Sequence, residues 1–154
     1  MGQQKNWAYS FEDVTCSITG PGGEFSLSDG GVANEGITLE FNDRITTTYG
    51  ADGNWMHSVH VAKGGRILVR LLKNGRANAL LDRQYNFDMS SSANTGQNTI
   101  SVRNPTTGDA WVGIGCACLK KPNITYNVEG PMVEWVFNAG IIDGVYGTGT
   151  PSIV

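Results

Sequence analysis

The two histidines of this sequence, His57 and His60, could act as metal ligands or as an acid and base. Val59 and Val61 alternate with polar residues around them, a pattern that indicates a β-strand. Residues three apart on a strand face opposite sides of the sheet, so the two imidazoles are not expected to share a metal ion or a proton. We interpret both histidines as structural residues.

Three cysteines, Cys16, Cys116 and Cys118, could act as nucleophiles or metal ligands. An odd number of cysteines suits a reducing compartment better than a disulfide framework. Cys116 and Cys118 lie two apart in a strand-like run and therefore point to one face. No further ligands stand at zinc-site spacing, so we interpret the cysteines as small buried hydrophobic residues. A disulfide between copies in an assembled particle remains the alternative.

Carboxylates and glycine-rich segments are the next candidates for catalysis and cofactor binding. Glu40 and Glu134 occupy the polar faces of two predicted strands, but nothing in the sequence brings them together in a cleft as a glycosidase would require. The segment Gly20-Pro-Gly-Gly23 contains a proline and lacks the Lys-Ser or Lys-Thr of a phosphate loop. Nucleophile-elbow and zinc-protease motifs are absent from the sequence. The sequence therefore predicts no catalytic residue, no cofactor and no metal site, and the protein is not expected to be an enzyme.

The composition limits the class of fold that can position these residues. Of 154 residues, 21 are glycine, about twice the usual share, and only 16% are charged. A hydrophobic share of 40% and a net charge of −3 exclude a disordered charged tail, and the composition is not that of a helical bundle. The length predicts a single domain over residues 1–154. The sequence shows neither a membrane span nor an apolar signal segment, which predicts a cytoplasmic site of synthesis.

Short runs of alternating apolar residues separated by glycine, asparagine and aspartate turns predict a mainly β protein. Ile37, Leu39 and Phe41 are expected to point inward from one such run. Helical spacing in residues 76–89 predicts one amphipathic helix, with Asn74 or Asn78 as its N-cap. Residues 1–11 are predicted to form an N-terminal arm, and residues 147–154 a flexible tail.

Charge is distributed unevenly along the chain. Residues 1–62 carry a net charge of −6, residues 63–121 a net charge of +6 and residues 122–154 a net charge of −3. If folding places these segments on different faces, complementary potentials would orient association between copies. The alternative is that folding interleaves the segments and cancels the field.

A set of motifs, each weak by itself, occurs in one order along the chain. The set comprises Gly20-Pro-Gly-Gly23, Glu35-Gly-Ile-Thr38, residues 50–58 (GADGNWMHS), residues 71–80 (LLKNGRANAL), residues 104–109 (NPTTGD) and Glu134-Trp-Val-Phe137. This ordered set resembles the tail tube proteins of contractile-tailed bacteriophages, a phage structural protein family, over residues 9–147. The resemblance implies a β-sandwich or open barrel with one helix, whose strands contribute to a ring-shaped inner β-barrel.

The resemblance also implies a role. Six copies would form a ring, and stacked rings would form the inner tail tube of the virion, inside a contractile sheath. The implied partners are other copies of the chain, the sheath, the baseplate, the tape measure protein and DNA that passes through the lumen without specific binding. Assembly would take place in the host cytoplasm, with no membrane partner.

Two sets of residues are candidates for the surfaces of such a tube. Glu40 and Glu134 are the lumen candidates, since an acidic or neutral wall would let DNA slide where a lysine-rich wall would hold it. The contact candidates between subunits lie in the N-terminal segment 3–11 and in the segment 46–55, interpreted as irregular polar loops that bear aromatic residues. They are Trp7, Tyr9, Phe11, Thr47, Tyr49, Asp52, Asn54 and Trp55.

A carbohydrate-binding β-sandwich module is the alternative function. Trp7 and Trp55, together with many asparagine, aspartate and glycine turns, suit stacking on sugars. Trp111 and Trp135 lie within apolar strands and are expected in the core. Rings or tubes would favour the tube protein, whereas a small glycan-binding species would favour the module.

Overall fold

The computed structural model describes residues 4–5, 14–27, 32–147 and 152–153, and in this part of the chain it contains twelve β-strands and one α-helix. The strands in chain order are β1 (Gln4–Lys5), β2 (Thr15–Gly20), β3 (Gly23–Ser26), β4 (Val32–Phe41), β5 (Ile45–Tyr49), β6 (Trp55–Val59), β7 (Gly65–Leu72), β8 (Asn98–Asn104), β9 (Asp109–Cys118), β10 (Met132–Ala139), β11 (Ile141–Val145) and β12 (Ser152–Ile153). The helix α1 (Ala77–Met89) lies between β7 and β8. The predicted fold class, mainly β with one helix, is confirmed.

The main sheet is antiparallel, with the strand order β3-β2-β8-β9-β10-β7-β4. Strand β9 pairs with β8 and β11 along most of its length and with β10 only at its end. Strand β9 therefore connects two layers, one formed by β3, β2, β8, β9 and β11, and the other by β10, β7 and β4. Side chains from both layers meet in one hydrophobic core.

The change of partner along β9 takes place at Gly115, opposite Gly140, which separates β10 from β11. Ile114 of β9 lies opposite Ile141 of β11, whereas Ala117 lies opposite Asn138 of β10. Gly115 has a φ of +67°, a conformation that side chains with a Cβ rarely adopt. Gly140 donates its backbone N–H to the carbonyl of Ile114 at 3.0 Å. The glycines thus let the chain turn between the layers without losing its backbone hydrogen bonds.

The core is built from alternate residues of the central strands, as period-two patterning requires. The inward residues include Cys16 and Ile18 of β2, Ile67, Val69 and Leu71 of β7, Ile100 and Val102 of β8, and Val133, Trp135 and Phe137 of β10. The prediction for Phe41 was wrong. Ile37 and Leu39 pack against the core, but Phe41 is 53% exposed, because it ends β4 beyond the core and stacks edge-on against Trp111 with ring centroids 5.8 Å apart.

Helix α1 lies close to its predicted position, but its N-cap differs. The cap position is Arg76, and no side chain caps the helix there. Asn78 lies inside the first turn, where its amide N–H groups donate to backbone carbonyls of the preceding turn, at 2.8 Å from that of Leu72. Its Oδ1 accepts the indole N–H of Trp135 at 3.0 Å. Neither Asn74 nor Asn78 is the N-cap, because Asn78 instead joins the helix to the core.

The two ends of the chain meet in a short antiparallel pair. Gln4 of β1 lies opposite Ile153 of β12, and Lys5 lies opposite Ser152. The other residues of the predicted arm and tail, apart from Gly147, lie outside the described residues, so the single-domain prediction with its terminal segments stays a prediction. In the described ranges, no helix is both long and apolar enough to span a membrane.

Candidate functional site

The β5–β6 hairpin forms a two-stranded sheet of its own, separate from the main sheet. It leaves the body between Phe41 of β4 and Gly65 of β7. At its base, Arg44 donates its Nε–H to the carbonyl of His60 at 2.8 Å, and the backbone N–H of His60 donates to the carbonyl of Arg44 at 2.8 Å. These paired bonds close the base of the hairpin.

The tip of the hairpin is a defined turn over residues 50–54. Gly50 donates its N–H to the carbonyl of Asn54 at 2.7 Å, and Gly53 adopts a φ of +88°. The carboxylate of Asp52 accepts the backbone N–H of Asn54 at 3.1 Å and its side-chain amide at 2.7 Å. The negative charge of Asp52 is therefore held at a fixed place on the tip.

One face of the hairpin is an exposed apolar ridge. Ile45 lies opposite Val59 and Tyr49 lies opposite Trp55, so all four side chains share a face. Their exposed fractions are 55% for Ile45, 68% for Val59, 72% for Tyr49 and 64% for Trp55. We call these four residues the hairpin ridge. Exposed apolar patches of this kind are typical of interaction surfaces.

The two histidines lie on opposite faces of the hairpin, as predicted. Thr47 and His57 pair across the ridge face, with Oγ1 of Thr47 2.8 Å from Nδ1 of His57. On the other face, Oγ1 of Thr46 lies 2.7 Å from Nε2 of His60. Each imidazole thus has a threonine partner, and the two rings lie on opposite faces of the hairpin.

The hairpin brings together five of the predicted contact residues, Thr47, Tyr49, Asp52, Asn54 and Trp55. The interpretation of segment 46–55 as an irregular loop was wrong, because the threonine-rich run pairs in register with residues 55–59 and only the tip is a turn. Trp7, Tyr9 and Phe11 lie outside the described residues.

The lumen candidates Glu40 and Glu134 lie on the same outward face of the β10-β7-β4 layer. Glu40 lies opposite Arg66, and Glu134 lies opposite Arg70, four residues further along β7. Arg70 donates its Nε–H to Oε2 of Glu134 at 3.0 Å. Two carboxylates and two guanidinium groups thus share this face, and their charges balance.

A groove of about 410 Å³ lies at the other end of β7 from the hairpin. Leu72, Lys73, Tyr126, Val128 and Pro131 line it, and we call these residues the Tyr126 groove. The backbone N–H of Lys73 donates to the carbonyl of Pro131 at 3.1 Å, which fixes its floor. The ammonium of Lys73 lies 5.0 Å from the ring centroid of Tyr126.

Sequence reasoning did not find the Tyr126 groove. Apart from Leu72, which ends β7, its apolar residues stand in a segment of prolines, asparagines and glycines without strand or helix periodicity. Tyr126 and Val128 are among the most exposed large hydrophobic residues of the described chain. Apolar residues in an otherwise polar, aperiodic segment are the signal that could have indicated an interaction surface.

A polar cluster is buried where the helix meets β8. Gln84 donates its Nε2–H to Oδ1 of Asn98 at 2.9 Å, and Asn98 donates its Nδ2–H to Oδ2 of Asp88 at 2.6 Å. Within the described part of the chain, Oε1 of Gln84 and Oδ1 of Asp88 have no hydrogen-bond partner. Burial raises the pKa of Asp88, while the hydrogen bond from Asn98 opposes that rise. The cluster joins α1 to β8, but its two buried acceptor oxygens without partners lower the free energy that it contributes to folding.

Cys16 and Cys116 are buried, Cys118 is half-buried, and all three thiols are protonated at neutral pH. Burial raises the pKa of Cys16 to about 12 and that of Cys116 and Cys118 to about 11. A thiol with such a pKa is a poor nucleophile and a poor metal ligand. Over the described ranges, His, Cys, Asp and Glu form no group of three or more that could hold a metal ion.

Several solved structures share this fold. A chain of the six-fold symmetrised baseplate of the anti-feeding prophage has a TM-score of 0.62 at 7% identity, with 94% of this chain and 99% of that chain covered. A chain of the extended sheath–tube complex of the extracellular contractile injection system PVC has a TM-score of 0.59 at 10% identity, with 92% and 93% covered. The tube-terminating cap of the anti-feeding prophage has a TM-score of 0.55 at 10% identity, with 96% and 97% covered.

The sequence comparisons identify the family. No curated protein matches the chain. The family model of the bacteriophage PhiTE tail tube protein matches residues 7–147, nearly the whole length. The match covers more than half of the chain, and the fold is shared by chains of contractile injection systems, so the chain belongs to the family of the bacteriophage PhiTE tail tube protein.

Proposed function

We propose that six copies of this chain form a ring and that stacked rings form the inner tube of a contractile phage tail, through which DNA passes into the host. The hairpin ridge carries this proposal. Ile45, Tyr49, Trp55 and Val59 are more than half exposed in the single chain, and association with other copies would remove them from water. In the ring, strands of neighbouring copies would join into an inner β-barrel without open sheet edges.

The outward face of the β10-β7-β4 layer is the proposed lumen wall. Its charged rows pair Glu40 with Arg66 and Glu134 with Arg70, so the wall carries little net charge. DNA presents about one negative charge per 1.7 Å of duplex, and an uncompensated basic wall would bind it strongly. A neutral wall supports passage of DNA without specific binding.

The proposed partners are those that a tube of stacked rings would contact. The tube would lie inside a contractile sheath, end on a baseplate and enclose the tape measure protein before DNA enters. A solved relative comes from a sheath–tube complex and another from a baseplate, which supports these contacts for this chain. The protein would be assembled in the host cytoplasm, reside in the virion tail, and use no cofactor, metal ion or catalytic residue.

Negative-stain microscopy of the purified protein over a range of concentrations tests the proposal. Rings of six subunits, and tubes of the same diameter, are the expected result. A species that remains monomeric at all concentrations, both alone and with isolated baseplates added as nuclei, would contradict it. A monomer that also binds a glycan array would support the carbohydrate-binding alternative, for which the exposed pair Tyr49 and Trp55 is the sugar-stacking surface.

A further inference from the structure

The hairpin ridge and the Tyr126 groove lie at opposite ends of one strand. The hairpin enters the body at Gly65, the first residue of β7, and the groove begins at Leu72, its last residue. At roughly 3.3 Å per residue, the two ends are about 23 Å apart. The hairpin also projects away from the main sheet, with which it forms no strand pairs among the described residues. The two surfaces of one copy are thus placed for contact with two different neighbours.

One surface projects and the other is concave, and both are largely apolar. The hairpin ridge is a narrow, two-stranded projection that ends in the indole of Trp55 and the ring of Tyr49. The Tyr126 groove is a concave surface with room for an aromatic side chain, lined by Leu72, Val128 and Pro131. Aromatic anchors that fill apolar pockets dominate the binding free energy of protein interfaces.

The charges beside the two surfaces are opposite in sign. Asp52 stands at the hairpin tip, and its carboxylate is oriented by two hydrogen bonds from Asn54. Lys73 lines the groove, and its ammonium is placed over the ring of Tyr126. Opposite charges at matching positions orient an encounter and select its register.

We propose that the hairpin ridge of one copy docks into the Tyr126 groove of a second copy, with the indole of Trp55 in the groove and Asp52 near Lys73. Because the contact joins two different surfaces of the same chain, it is heterologous and repeats from copy to copy. Each copy would use its hairpin on one neighbour and its groove on the next, which gives the tube a direction. This inference rests on the proposed function and names the surface that receives the hairpin.

Disulfide trapping between two cysteine variants tests the contact. Asn54→Cys places a thiol beside the ridge, and Asn127→Cys places one at the groove, both at exposed positions. The two variants are purified separately, mixed and oxidised, and the mixed disulfide is identified by mass spectrometry. Asn54→Cys mixed with Thr106→Cys, an exposed turn residue between β8 and β9, is the matched control. Docking raises the local thiol concentration, so the yield should exceed the control on the order of tenfold.

Substitutions that remove the charges of Asp52 and Lys73 test the register of the docking contact. Asp52→Asn keeps the Oδ1 that accepts the backbone N–H of residue 54 and removes the charge. The bond that Oδ2 accepts from the side-chain amide of Asn54 is already absent in the Asn54→Cys variant. Asp52→Asn added to the Asn54→Cys variant, or Lys73→Gln added to the Asn127→Cys variant, should lower the yield of the mixed disulfide about threefold. The two substitutions together should lower this yield no further, because they remove one shared interaction.

The outcomes separate this inference from the proposed function. Tubes in the micrographs of the mixture, without a mixed disulfide between the Asn54→Cys and Asn127→Cys variants above control level, would overturn the docking site and leave the tube proposal standing. The mixed disulfide without rings or tubes would support the contact and count against the tube. Absence of both would overturn both.

Discussion

Arg70 of β7 donates its Nε–H to Glu134 of β10 at 3.0 Å and its Nη1–H to the hydroxyl of Thr38 of β4 at 2.9 Å. One guanidinium group therefore links all three strands of the β10-β7-β4 layer across its outward face. The arginine side chain is 22% exposed and the glutamate side chain 47% exposed, so solvent screens the pair. The bridge sets the charge pattern of this face more than it stabilises the fold.

Replacement of Glu134 by glutamine should therefore change stability little. The neutral amide still accepts a hydrogen bond from Arg70, and partly exposed ion pairs contribute about 0–1 kcal/mol. We expect Glu134→Gln to lower the free energy of unfolding by less than about 1 kcal/mol in urea denaturation. By contrast, Trp135→Ala at the next position should cost about 3–5 kcal/mol, because it empties part of the core. A large loss with Glu134→Gln would show that the bridge holds the layer together.

Glu40→Lys tests the lumen assignment. The substitution would place a second basic group beside Arg66 in every copy and would make the proposed wall basic. DNA ejection from assembled particles should slow, and added salt should restore the rate, because basic contacts to DNA weaken as salt rises. Glu40→Gln and Glu24→Lys, which makes the same charge change on the other layer, are the controls. Equal slowing by Glu24→Lys would assign the effect to overall charge and remove Glu40 from the lumen.

Removal of the apolar side chains from the hairpin ridge should affect assembly and spare the fold. Trp55 is 64% exposed and contributes little to the core, so Trp55→Ser should leave the melting temperature of the single chain nearly unchanged. Rings and tubes should disappear in negative-stain images at concentrations where the wild-type protein forms them. Met56→Ser, on the opposite face of the same strand, is the matched control and should still assemble. Assembly by both variants would show that the ridge is not a contact surface.

Asp88 should make stability depend on pH. Burial raises its pKa above the ordinary value of 3.8, so the folded protein binds this proton more tightly than the unfolded chain does. The stabilisation of the folded state by this proton is fully present below the pKa of Asp88 in the unfolded chain and is lost as pH rises through its pKa in the folded protein. Asp88→Asn should remove that part of the pH dependence. At neutral pH it should stabilise the protein by about 1 kcal/mol, since the amide carries no charge for burial to penalise.

The control for Asp88→Asn is Asp43→Asn at an exposed position, which should stay within about 0.5 kcal/mol of the wild-type protein. Thermal unfolding at a series of pH values measures both variants. An unchanged pH profile in Asp88→Asn would assign the pH dependence to other groups.

The turn between β2 and β3 should tolerate no side chain at Gly20. A Cβ there would overlap Oδ1 of Asn98, which is held by the amide of Gln84. Gly20→Ala should therefore lower the free energy of unfolding by at least about 2 kcal/mol, because the buried cluster must shift or lose a hydrogen bond. Gly130→Ala, where a Cβ would meet open space, should cost little. Equal stability of the two variants in urea denaturation would contradict the close packing at Gly20.

The local sequence pattern was enough to predict the elements whose residues alternate regularly. Val133, Trp135 and Phe137 follow a strict period of two, and the structure buries all three. The helix over residues 77–89 was predictable in the same way, because its spacing is set within the element itself. Phe41 continues the pattern of Ile37 and Leu39 but lies beyond the core, and only the packing of its neighbours could show this.

The sequence by itself determined the fold class, the tube family and the opposite orientation of His57 and His60, because strand periodicity and ordered motifs are local properties of the chain. The tertiary structure decided which surfaces stand exposed together. Ile45 and Val59 are 14 residues apart and become neighbours only when the hairpin closes. Leu72 and Tyr126 are separated by 54 residues and meet only because β7 and β10 pair. Such surfaces depend on contacts between distant segments, and no local spacing specifies them.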